Sequence, residues 1–103
     1  MLKTELEIVF FQPKENVCDG IQATNLRPPF RFCDGYSFSG FIESKRHIQF
    51  IYGEHYNVNV NFPTIESEAY EVIKDILSFN MILIIHIGSE EIGKGKLLKY
   101  EYV

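Results

Sequence analysis

The chain has 103 residues, a formal net charge of −4, 46% hydrophobic residues and 15% aromatic ones. A chain of that length buries roughly two-thirds of its unfolded surface, enough for one core, and its nine Phe and six Tyr exclude disorder and favour strands. The acidic balance argues against a chain-wide grip on phosphate, although a local basic patch on an acidic protein can still contact RNA.

Leu6, Ile8 and Phe10 alternate with Glu5, Glu7 and Val9, the period of a strand running from Leu2 to Phe11 and ended by Pro13. Lys3, Glu5 and Glu7 interrupt its apolar run, so the segment does not read as a secretory leader. Residues 14–25, with Asn16, Asp19, Gly20, Thr24 and Asn25, read as a long connecting loop. Pro28 and Pro29 then pre-set an extended backbone, and a strand entered through prolines is an edge or a strand start.

Phe30 and Phe32 share one face with Arg31 opposite, Asp34-Gly35 signals a turn, and Tyr36 to Glu43 reads as the returning strand, with Gly40 marking a bulge or bend. A charged stretch at Glu43, Lys45 and Arg46 precedes a short strand at 48–52 and a turn at Gly53-Glu54. Tyr56, Val58, Val60 and Phe62 alternate with Asn57, Asn59 and Asn61, which predicts a strand with its asparagine face in water.

Pro63 breaks that strand, Thr64 is positioned to cap a helix, and Glu66 and Glu68 suit its first turn. Ala69, Val72, Ile73, Ile76 and Leu77 recur at spacings of three and four, predicting one short helix over 65–77 that either lids the barrel or offers a docking face to a partner or second copy. Met81 to Ile87 suits a buried strand, Gly88 to Glu91 a turn, and Ile92 to Tyr102 a closing strand interrupted by Gly93 and Gly95. The expectation is one all-β domain over 1–103, with six or seven strands and no repeats. The longest apolar stretch, Met81 to Ile85, falls far below the ~20 residues that span a bilayer, so no membrane is expected and the cytoplasm is the expected compartment. Cys18 and Cys33 accordingly read as reduced thiols, with a disulfide as the alternative.

Few residues suggest catalysis. His47, His55 and His86 lack metal-site spacing, and His86, in an apolar strand, reads as a hydrogen-bonded packing residue. Nothing in the sequence sets a base beside Cys18, and no Gly-x-Ser-x-Gly or phosphate loop occurs, so no enzyme, cofactor, metal or nucleotide site is expected. Arg27 and Arg31 bracket Pro28-Pro29-Phe30, and the guanidinium fork suits phosphate or carboxylate, or else anchors a loop. Lys94, Lys96 and Lys99, with Lys45 and Arg46, make a basic patch if their strands adjoin; a solvated face is the alternative. Phe30, Phe32, Tyr36, Phe38 and Phe41 supply either a stacking surface or, in the main, core.

In order, these segments resemble the C-terminal, third-domain barrel of elongation factor Tu, whose pattern runs Tyr-Arg-Pro-x-Phe, Thr-Gly, Pro-Gly-Asp and finally Val-Gly-x-Gly. Arg27, Pro28 and Phe30 match the first element, Ser39-Gly40 stands at the second, Tyr52-Gly53-Glu54 at the third, and Ile92-Gly93-Lys94-Gly95 at the last. The resemblance covers nearly the whole chain and implies a six-stranded antiparallel Greek-key barrel to which the short helix at about 65–77 is an insertion. In that family the barrel contacts the T-stem of aminoacyl-tRNA and the exchange factor, which by position implies contacts at Arg27, Ser39 and the turn before Gly93. Pro29 departs from the family's glutamine, and residues 17–20 replace a basic element with an acidic one. The function expected is a stand-alone, non-catalytic binding module recognising a protein through its rim loops or its helix. An RNA-contacting translation accessory using a basic patch around Arg27 and Lys94–Lys99 is the second reading and a small hydrolase or thiol enzyme the third. The candidate contact residues are Arg27, Arg31, Ser39, Lys94 and Lys96.

Overall fold

Alternating apolar side chains give each strand one face to bury, and the computed structural model, which describes residues 1–15, 18–43 and 47–103, shows how those faces meet. The strands are β1 (Leu2–Phe10), β2 (Gly20–Gln22), β3 (Pro29–Cys33), β4 (Tyr36–Ser39), β5 (Phe41–Ile42), β6 (Gln49–Ile51), β7 (His55–Phe62), β8 (Ile82–Ile87) and β9 (Glu90–Tyr102), with one helix, α1 (Ser67–Ile73). Seven strands form one antiparallel sheet in the order β4-β3-β8-β9-β1-β7-β5, and β2 pairs with β6 in a separate ribbon. The fold is all-β with one short helix, and the large sheet curls strongly into a half-barrel.

The two edge strands of that sheet, β4 and β5, are halves of one chain segment parted only at Gly40. Beyond the bend, Phe41 and Ile42 pair with Asn61 and Val60 of β7, while the Ile42 amide donates to the Leu26 carbonyl on the opposite side. One segment therefore joins both edges, and six strands complete a hydrogen-bonded circuit. The circuit is staggered: from Phe10 through Gly93 and Ile85 it reaches Phe30, whereas from Thr4 through Val60 and Ile42 it reaches Leu26. Because β1 and β3 run antiparallel, an unstaggered circuit would carry Phe10 to residue 20; the offset of ten residues is the shear that tilts strands in a barrel. Gly40 is required at the bend, since a Cβ there would lie 2.7–2.8 Å from ring atoms of Phe30 and Phe62.

The inward faces fill the cylinder. Phe62 meets Phe30 and Phe32 edge-on at centroid separations of 5.3 and 5.1 Å, a favoured aromatic geometry. Thr4 is the one polar side chain in this buried set, and its hydroxyl donates to the Val60 carbonyl at 2.8 Å. The chain crosses between non-adjacent strands twice, from β1 to β3 by way of β2 and from β7 to β8 by way of α1, which gives the expected Greek-key character. Those crossings cover the two ends: Phe50 of β6 packs on Phe10 and Tyr56, and Ile73 and Leu77 are buried at the end where Tyr70 stacks on Tyr102 at 4.2 Å.

Three local expectations change. The segment expected as loop over 14–25 contains β2, whose pairing with β6 depends on residues nearly thirty positions away and leaves no local period. The helix occupies Ser67–Ile73, with Glu66 extended at its N-cap and no side-chain cap bond; Thr64 lies two residues before the cap, where its carbonyl accepts the Glu66 amide. The apolar stripe nevertheless reaches Leu77, carried by a turn in which the Ile76 amide bonds to the Ile73 carbonyl. Finally, Gly93 and Gly95 do not interrupt β9. They let β1 approach, since a Cβ on Gly93 would lie 2.6 Å from the Val9 carbonyl oxygen, and the register shift falls instead at Leu98, skipped between the pairs Leu6–Leu97 and Glu5–Lys99. Lys45 and Arg46 lie outside the described residues, as do Asn16 and Val17.

Candidate functional site

Among the described residues the wall parts between β3 and β8. Pairing between β3 and β8 consists of Phe30–Ile85 and Arg31–Ile84; beyond it, Pro28 and Pro29 have no N–H to extend a ladder, and the β8–β9 register shifts between Ile85 and His86. The gap is a cleft of about 1090 Å³ between the 11–15 segment, residues 26–29 and the β8–β9 hairpin. Phe11, Ile21, Leu26, Tyr52, Ile87 and Ile92 give it an apolar lining, and Lys14, Glu15, Arg27, Glu90 and Glu91 add charge. Burial first, and then the neighbouring Cys18 thiol, push the Tyr52 phenol above the ordinary tyrosine value, so it is a neutral hydroxyl near pH 7.

The five predicted contact residues separate into distinct settings. Arg27 is exposed on the cleft margin, its guanidinium carbon 4.8 Å from the centroid of the Phe41 ring, and among the described residues no carboxylate pairs with it. Arg31 instead donates to Glu91 at 2.9 Å. Ser39 sits on exposed β4 opposite Pro29. Lys94 lies between Ile84 and Val9 in the cross-strand register, and Lys96 between Ile82 and Glu7, with its ammonium 4.0 Å from the Glu7 carboxylate. Arg31 and Lys94 thus share one row with Ile84 between them, whereas Arg27 stands apart from that row. The basic patch expected to join Arg27 with Lys94–Lys99 is divided, because strand register pairs Lys96 with Glu7 and Lys99 with Glu5.

Residues outside the five predicted contacts also belong here. Phe41 supplies the platform for Arg27, a pairing that counting back from the Asp34-Gly35 turn would miss, because a register shift between Arg31 and Cys33 slides the hairpin by one residue, so that Pro29 faces Ser39 and Arg27 falls opposite Phe41. His86 is half-buried and hydrogen-bonded, as its apolar strand implied: its Nε2 lies 2.9 Å from Ser37 Oγ and its Nδ1 2.8 Å from the Gly88 carbonyl. With the proton on Nδ1, both contacts are satisfied and β4 is tied to the β8–β9 turn. Cys18 and Cys33 are free thiols. Among the described residues, no group of three or more His, Cys, Asp or Glu is placed to hold a metal ion, and no helix is long and apolar enough to cross a membrane.

No protein-family model matches this chain, and no curated protein matches it.

Proposed function

We propose that this chain is a binding module, a barrel resembling the third domain of elongation factor Tu, which holds a segment of a partner protein in the cleft between residues 26–29 and the β8–β9 hairpin. The observation that carries this reading is the parting of β3 from β8, which leaves an apolar-lined cleft with an arginine at its margin. Apolar concavities with a few placed polar groups are the usual seats of recognition. The RNA reading has less support, because Arg31 and Lys96 face Glu91 and Glu7, and phosphate binding draws on unopposed charge.

Site-specific photocrosslinking tests this. With p-benzoylphenylalanine in place of Ile87, at the cleft, a protein adduct is expected to form in native extract and to survive nuclease, while the same probe in place of Asn59, on the opposite wall, gives none. Adducts that vanish with nuclease, together with RNA retention at low salt that is lost on changing Lys94 and Lys96 to Glu, would reverse the order of the two readings.

A further inference from the structure

We infer that Arg27 is a carboxylate receptor and that the segment held in the cleft is acidic as well as apolar: hydrophobic side chains enter the cleft while an Asp or Glu side chain meets the Arg27 fork. The inference rests on the binding reading above and adds the chemistry of the partner.

The two arginines bracketing Pro28-Pro29-Phe30 make the argument. Both point out from the same strand line, four residues apart, yet Arg31 is occupied by Glu91 at 2.9 Å, while Arg27 has no carboxylate among the described residues. Arg27 is not left loose. Its guanidinium carbon lies over the Phe41 ring, 4.8 Å from the centroid, a contact that restrains the group while no carboxylate among the described residues takes up its N–H fork. A guanidinium fixed in advance loses less side-chain freedom on binding than a mobile lysine, and its fork matches a carboxylate in both distance and direction. The neighbourhood then selects among anions: Leu26, Pro28 and Pro29 beside Arg27 line the cleft with carbon, which suits apolar side chains flanking the acid rather than the hydrated sugar of a nucleic acid.

The opposite margin fixes direction. Glu90 and Glu91 lie on the hairpin side, and Glu91 is already neutralised by Arg31, so Glu90 repels an acid there and favours an amide or a base. Pro28 and Pro29 bear no N–H, so a strand laid along residues 26–29 would find few donors; side chains, not backbone addition, anchor the occupant.

The test uses the full chain as bait for a random 12-residue peptide display library, with enriched peptides resynthesised in C-terminally amidated form and measured by fluorescence anisotropy. The expected result is enrichment of sequences pairing apolar residues with an Asp or Glu. Binding should weaken by about tenfold in Arg27→Ala, recover only partly in Arg27→Lys, and stay within about twofold in Lys94→Ala. Glu90→Gln should leave binding unchanged or tighten it, and replacing the peptide's acid by its amide should reproduce the Arg27→Ala loss. Enriched peptides that lack acids, or that bind Arg27→Ala as well as the natural chain, would overturn the carboxylate assignment while leaving the cleft as a protein site. Failure of any peptide to enrich would remove both, and displacement of the peptide by a 12-nucleotide polyuridine through Arg27 would assign that residue to phosphate instead.

Discussion

The wall formed by β9, β1 and β7 and the parting of β3 from β8 lie on the same barrel and use the same outward positions, yet they leave opposite surfaces. On the first, Lys3, Glu5 and Glu7 of β1 stand between Glu101, Lys99 and Lys96 on one side and Asn61, Asn59 and Asn57 on the other, so each charge faces an opposite charge or an amide. The groove over that wall, about 590 Å³, is lined almost wholly by such residues. On the second, the ladder stops at two prolines, and apolar side chains and a guanidinium with no carboxylate among the described residues are left at the surface. Complete strand pairing lets outward polar residues satisfy one another; where pairing ends, that mutual satisfaction ends too, and recognition chemistry becomes available.

The comparison depends on the packed interior of the curled sheet, so its hardest test is the core. Phe62→Ala removes the ring that Phe30 and Phe32 pack against edge-on and should lower unfolding free energy by about 3–5 kcal/mol in urea titration. Gly40→Val strikes the bend that joins the two edges, and forcing side-chain volume against Phe30 and Phe62 should cost about 1–3 kcal/mol and expose amides of β5 to hydrogen exchange before those of β1. If exchange at β5 and β1 remained equal, the joint at Gly40 would not be what holds the edges together.

Smaller effects distinguish the two regions. Thr4→Val on the paired wall strands the buried Val60 carbonyl without its side-chain donor and should cost about 1 kcal/mol. Arg31→Ala at the parting breaks a half-exposed ion pair and should cost no more than about 1 kcal/mol in stability, an effect that salt weakens. The slightest effect is in pH dependence. Tyr102's phenol is raised above its ordinary value, first by burial, then by Glu66 and Tyr70, so its neutral form contributes stability that is fully present below the unfolded tyrosine value near pH 10 and is lost as pH rises through the folded value. Tyr102→Phe should therefore show a shallower fall in Tm between about pH 9 and pH 11 than the natural chain.

Much of the wall was legible before any coordinates. The turn at Asp34-Gly35, the alternation from Tyr56 to Phe62 and the inward set Leu6, Ile8 and Phe10 all follow from a period of two, which each strand expresses by itself, and Asn57 and Asn59 do face water. The helix was legible for the same reason, but of its stripe Ile73 and Leu77 are buried as a lid while Val72 and Ile76 are exposed; its bounds were not legible, because the N-cap falls at Glu66 rather than at Thr64. At the candidate site, Arg27 stood out by residue type, but Phe41 as its platform, Glu91 as the partner of Arg31 and Glu7 as the neighbour of Lys96 did not, since each pairs residues 14 to 89 positions apart.

By itself, then, the sequence determined the strands other than β2, which side of each is apolar and most of the turns, because those properties reside in the pattern of neighbouring side chains and in the fixed dihedrals of proline and the freedom of glycine. Only the tertiary structure decided that one segment bends at Gly40 to join both sheet edges, that β2 and β6 close one end, and that Arg27 and Arg31 differ in having a partner. Those outcomes depend on the number of strands in the circuit and its ten-residue stagger, which are set by all six strands together and by none of them alone.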